Sequence, residues 1–136
     1  MTAQTVHALW SPNLPKPRFL YSPVIRAGDW FLFSGMIALD ARTGVLEPGG
    51  PGPETGRILA NLVGALPDFG LTLRELASAH IFTTRWDDFP AINAAWENVL
   101  AVGSTPPART SVGVVALPLG ATVEIEFAFY KEQRRE

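Results

Sequence analysis

Residues 121–131 alternate without a break. Val123, Ile125, Phe127 and Phe129 take every second place, with Glu124, Glu126, Ala128 and Tyr130 between them. Successive strand side chains point to opposite faces, so this run is a strand with one apolar face and one face carrying two carboxylates. A second run, residues 30–39 (WFLFSGMIAL), is apolar on both faces and asks for cover on both. Ser34-Gly35 interrupts it and marks a bulge or a close approach of backbone. A sheet holding both runs needs helices on one side and a second partner on the other.

The remaining punctuation supplies those helices. Residues 19–26 read as a strand joined to 30–39 through the Ala27-Gly28-Asp29 turn. Residues 53–66 read as a helix, with Pro53 in its first turn and a stripe of Ile58, Leu59, Leu62, Val63 and Leu66. Pro67 and Gly70 close it, and Thr72 to Leu76 form a short helical turn. Residues 77–85 are a further strand. Asp87 or Asp88 then serves as an N-cap with Pro90 in the first turn, and Phe89, Ile92, Trp96, Val99 and Leu100 follow at helical spacing before Gly103 stops the helix. Trp96 belongs to the core. Residues 110–117 and 121–131 are the last two strands.

Residues 1–17 are a polar, proline-broken, irregular lead-in to a single domain over 1–136. The order β-β-α-β-α-β-β gives an α+β two-layer sandwich, a mixed sheet with both helices on one face. Two helices cover one face only. The other is expected to be buried in a symmetric homo-oligomer.

Composition narrows the function. With 47% hydrophobic and 18% charged residues the chain is globular. Eleven basic against 13 acidic residues, net −2, provide no excess to neutralise phosphates, so nucleic acid is not an expected partner. The absence of cysteine excludes disulfides, thiolate metal sites and a Cys nucleophile, and fits a reducing compartment. The first 20 residues hold three prolines and no long apolar stretch, so no secretory leader is expected. No run approaches the ~18 apolar residues of a spanning helix, and a cytoplasmic protein without a membrane partner is the expectation.

Few residues are free to carry chemistry. His7 and His80 lie far apart with no ligand-like spacing, so neither is expected to bind metal or act as general base. No phosphate loop, dinucleotide fingerprint or nucleophile elbow is present. Arg109 stands where a Pro-rich loop enters a strand. It presents a planar fork to a carboxylate or takes part in a surface ion pair. Glu124 and Glu126 share one face, either towards solvent or partly buried, where a raised pKa suits acid–base work. Tyr21 is the best candidate for a pocket hydroxyl among the aromatics Phe19, Tyr21, Trp30, Trp86 and Trp96, of which Trp96 fits the core better.

At these residues the chain resembles a known family. The stretch Pro107-Ala108-Arg109-Thr110-Ser111-Val112-Gly113-Val114, followed by Leu117-Pro118-Leu119-Gly120-Ala121-Thr122-Val123-Glu124-Ile125-Glu126, is similar to the RidA/YjgF signature. Tyr21-Ser22-Pro23, Gly28-Asp29, Phe33-Ser34-Gly35, Asp40-Ala41-Arg42-Thr43-Gly44 and Phe89-Pro90-Ala91-Ile92-Asn93-Ala94-Ala95-Trp96 agree in order and spacing across residues 18–131. The resemblance implies a fold like trimeric chorismate mutase, with three sheets around a central barrel and active sites in the clefts between subunits.

It further implies hydrolysis of reactive enamines and imines, such as 2-aminoacrylate, to a 2-oxo acid and ammonium, without metal or organic cofactor. By the same resemblance Arg109 clamps the substrate carboxylate and Glu124 positions or activates water. Tyr21, Ser34 and Ser111 contact substrate, and Asn93 holds a structural or cleft-edge place. The chain departs from the family pattern in carrying Met36 where Gln is common and Ser111 where many deaminases have Cys. Glu54-Thr55-Gly56-Arg57 also replaces the usual start of the first helix. A second class fits these departures, a non-catalytic small-ligand-binding or regulatory member. A third reading keeps the enzyme and changes the substrate to longer unsaturated amines or imines, with Phe19, Tyr21 and Trp30 setting the cleft's width.

Overall fold

The computed structural model of the chain describes residues 5–101 and 105–133. In chain order run β1 (Val6–Leu9), β2 (Val24–Ala27), β3 (Trp30–Met36), α1 (Pro51–Ala65), β4 (Leu76–Thr83), α2 (Phe89–Leu100), β5 (Ala108–Gly113) and β6 (Val123–Tyr130). The strands form one six-stranded sheet in the order β1-β2-β3-β6-β4-β5. Neighbours are antiparallel except β4 and β5, which are parallel and joined through α2, as a crossover requires.

The alternation in β6 decides the layering. Val123, Ile125, Phe127 and Phe129 are buried, and they pack with Ile58, Leu59 and Leu62 of α1 and Ile92, Trp96 and Leu100 of α2. Each large apolar side chain so buried stabilises the fold by ~1.5–3 kcal/mol relative to exposure. Both helices therefore sit on this face, and the expected mixed α+β sandwich forms. On the other face Trp30 and Leu32 of β3 remain 43% and 44% exposed. Trp30 meets Tyr130 edge-on at 5.0 Å there. No element among the described residues covers them.

Several boundaries differ from the sequence reading. The lead-in expected to be irregular contains β1, which pairs from Val6 with Ala27 to Leu9 with Val24. An edge strand needs only backbone partners, and its exposed side chains carry no alternation to read. β2 begins at Val24 rather than at residue 19, after Pro23, which lacks a backbone donor. β3 ends at Met36 rather than 39, at an irregularity in its pairing with β6. β5 covers Ala108–Gly113 rather than 110–117. α1 starts at Pro51, and Val63, expected in its apolar stripe, is 40% exposed.

Asp88 holds the N-cap position of α2 without a side-chain cap hydrogen bond. The helical turn after Thr72 forms at Leu73–Glu75 with a reciprocal Thr72–Glu75 capping box. The Gly103 stop lies outside the described residues.

Candidate active site

The bulge in β3 builds the first half of the site. Phe33 pairs with Phe127 and Met36 with Ile125, so Ser34 and Gly35 together oppose Glu126. Ser34 is fixed by its amide donating to Pro23 O at 2.9 Å and its hydroxyl donating to Ser22 O at 2.6 Å. Gly35 is glycine for a steric reason: a Cβ there would lie 2.9 Å from Glu124 Cδ. The carboxylate of Glu124 thus rests on bare backbone.

Glu124 is half-buried, and that burial raises its pKa, with the neighbouring Glu126 carboxylate adding to the rise. Glu126 in turn lies with Oε1 2.7 Å from His80 Nδ1. His80 is thus a hydrogen-bond partner of the second carboxylate, while His7 sits exposed on β1.

A residue in α1 fixes where β6 begins. Glu54 is 2% exposed, and its carboxylate accepts hydrogen bonds from Thr122 N (2.9 Å), Thr122 Oγ1 (2.8 Å) and Val123 N (3.2 Å). Thr122 O accepts from Thr83 Oγ1 at 2.8 Å and from Thr84 N at 3.1 Å. Residues 122 and 123 are held from two sides, one step before Glu124. A cavity of about 290 Å³ opens beside this carboxylate, bordered by Tyr21, Ser34, Gly35, Met36, Leu119 and Glu124.

The second half lies on the edge strand β5. Arg109 is exposed, and its Nη2 donates to Asn93 Oδ1 on α2 at 2.9 Å. Its guanidinium stands over the rings of Trp96 (5.3 Å) and Phe89 (5.5 Å). Among the described residues no carboxylate pairs with it. A cation supported by a neutral amide and aromatic faces keeps its charge available to an anion.

Pairing registers set the two halves apart. Arg109 lies beside Ala79 and Ser111 beside Ile81, on the helix side of the sheet. Glu124 lies beside Phe82, itself beside Val112, on the uncovered side. The structure therefore unites Tyr21, Ser34 and Glu124, and separately Arg109, Asn93 and Ser111. It does not unite the two groups in one chain.

Sequence reasoning missed Gly35 as the seat of Glu124, Glu54 as the anchor of β6, and Phe89 and Trp96 as the support of Arg109. The spacing of Phe89, Asn93 and Trp96 along one helix was a usable signal for that support. Among the described residues no three or more His, Asp or Glu side chains gather where a metal ion could sit. No helix among them is long and apolar enough to cross a membrane.

Comparison with known proteins agrees with this frame. The model of the family described as Endoribonuclease L-PSP matches residues 12–130. A 2-iminobutanoate/2-iminopropanoate deaminase of Dermatophagoides farinae is 32% identical over 116 residues, which are 85% of this chain and 89% of that one. A RutC family protein of Pyrococcus horikoshii is 31% identical over 124 residues, 91% of this chain and 97% of its own. The crystal structure of YyfA from Yersinia pestis, of the Rid protein family, superposes with a TM-score of 0.87 at 28% identity, covering 93% of this chain and 99% of that one. The fold is the chorismate-mutase-like sandwich of this group. The chain belongs to the family, the RidA/YjgF family, which includes imine deaminases.

Proposed function

We propose that this protein hydrolyses reactive 2-imino acids, reached directly or from their enamine tautomers, to 2-oxo acids and ammonia. The observation that carries this reading is the half-buried Glu124 carboxyl with raised pKa beside a cavity, in a family that includes imine deaminases. The imine carbon is already electrophilic, so the reaction needs orientation and a proton path, and no covalent nucleophile. The imine reacts as its iminium, already protonated from solvent. Ionised Glu124 takes a proton from water as the water oxygen bonds to the iminium carbon and the C=N π pair moves to nitrogen, which gives a neutral carbinolamine. The same carboxyl then returns its proton to the amine. The C–N bond breaks and ammonia leaves, the hydroxyl gives its proton back to Glu124 as the carbonyl forms, and that proton passes to the departing ammonia. A carboxyl titrating nearer neutrality than usual serves both directions.

Arg109 holds the substrate carboxylate through its planar fork. Since Arg109 and Glu124 leave opposite faces of one sheet, the working site takes Arg109, Asn93 and Ser111 from one copy and Tyr21, Ser34 and Glu124 from a neighbour. The uncovered face with Trp30 and Leu32 supports a symmetric assembly, of which the trimer is the family's form. The family description names an endoribonuclease; a net charge of −2 gives little support to an RNA substrate.

The test generates 2-aminoacrylate in situ with a lyase and times release of the oxo acid. The protein accelerates release, and Arg109→Ala and Glu124→Gln each lower the acceleration by ~10²-fold or more. An Arg109→Ala protein as fast as the parent contradicts the assignment. Binding of small carboxylates without acceleration supports the non-catalytic alternative.

A further inference from the structure

His80 and Glu126 lie on the uncovered face of the sheet, and the reaction described above uses neither. Pairing registers place them. Glu126 faces His80 on β4, and His80 faces Thr110 on β5. On its other side Glu126 meets the β3 bulge, where Gly35 has no side chain and the Ser34 hydroxyl is committed to Ser22 O. Among the described residues His80 is the one side chain hydrogen-bonded to Glu126, with Nδ1 2.7 Å from Oε1. An ionised carboxylate only accepts, so the imidazole N–H donates.

Glu124 stands two residues along the same strand face, about 7 Å away at strand rise. Two carboxylates so placed oppose each other's ionisation. Few other charged or titratable groups face Glu124. Phe82 of β4 lies beside it, Gly35 of β3 lies under it, and β5 adds Thr110 and Val112. Lys16, Arg18 and Tyr21 border the cavity, with Arg18 donating to Gly44 O. Tyr130 lies at the far end of β6 against Asp29. Of these groups Glu126 is the charge that bears on Glu124, and it opposes ionisation. A histidine changes charge near neutrality, and an imidazolium bonded to Glu126 cancels much of that opposition.

We infer that His80 is a positioning residue for the proposed reaction: protonated, it balances the charge of Glu126 and so keeps Glu124 ionised, as the water-activating step requires, to lower pH than two unbalanced carboxylates allow. The inference rests on the imine-hydrolase reading for its effect on turnover and on the geometry of the pair for the coupling itself. A neighbouring copy brings Arg109 to Glu124, but Glu126 and His80 belong to the chain that carries Glu124. Arg109 acts alike in every variant below, so differences between them report the pair.

The test titrates the assembled protein, with carbon-13 in its glutamate carboxyls, by NMR. The Glu124 signal is assigned by its loss in Glu124→Gln. His80→Gln keeps a donor without the charge, and His80→Ala removes both. Each raises the Glu124 midpoint by ~0.5 pH unit, the effect of one unit charge about 7 Å away in a high-dielectric surround. In a Glu126→Gln background the same substitutions move the midpoint less than half as far, because the charge they uncover is gone. The acid limb of kcat/KM for the imine from 2-aminoacrylate moves upward with the midpoint.

A midpoint within ~0.1 unit of the parent in either His80 variant overturns the inference, whatever happens to Tm, and leaves imine hydrolysis standing. An equal shift in the Glu126→Gln background also overturns it, since His80 then acts without Glu126. A midpoint that shifts as expected in a protein that hydrolyses no imine keeps the coupling and overturns the hydrolase reading.

Discussion

Glu124 combines two opposing demands. Its raised pKa means the folded state holds the proton more tightly than the unfolded chain does. The stability from this group is present below the unfolded carboxyl pKa and is lost as pH rises through the folded one. Glu124→Gln is therefore expected to raise Tm at pH 7–8 while removing hydrolysis, and the gain disappears by about pH 4. Melting curves across that window check the sign. Gly35→Ala tests the seat of the carboxylate. A methyl group there meets Glu124, and a displacement of ~1 Å lowers kcat by about 10²-fold, with KM changing less. Sequence reading marked Gly35 as a bulge or a close approach, and it is both. What the backbone approaches was hidden, because Glu124 is distant in sequence.

The register of β6 is an element-scale property, set by a residue outside the sheet. Glu54 satisfies three donors at residues 122 and 123, so Glu54→Ala leaves buried donors without partners. Each such group costs ~1–3 kcal/mol, and the variant is expected to lose about 3 kcal/mol or more of stability. Glu54→Gln keeps an acceptor oxygen and recovers most of it; denaturant titration of both variants decides. The element order was legible because β6 alternates and both helices carry apolar stripes. Glu54 was not, since a carboxylate on a helix's first turn reads as solvent-facing. β1 was equally hidden: its stabilisation comes from backbone pairing with β2, which leaves no mark on side-chain pattern.

The whole molecule explains why the site residues look scattered. Tyr21, Ser34, Glu124, Asn93, Arg109 and Ser111 were all named from the sequence, yet one chain unites them only in two groups on opposite faces. That separation was invisible before pairing registers were known, since a shift of one residue exchanges the faces. The uncovered apolar face was legible earlier, from residues 30–39. Leu32→Glu puts a charge on that face and is expected to give a folded monomer, by size-exclusion chromatography and circular dichroism, that has lost hydrolysis.

The central claim is that Arg109 of one copy works with Glu124 of another, and subunit mixing tests it most directly. Arg109→Ala and Glu124→Gln proteins, each inactive alone, are unfolded together in equal amounts and refolded. If sites form between copies, random assembly joins an intact Arg109 to an intact Glu124 in about a quarter of them, and roughly that fraction of parental activity returns. A mixture that reassembles and stays as inactive as its components contradicts the account.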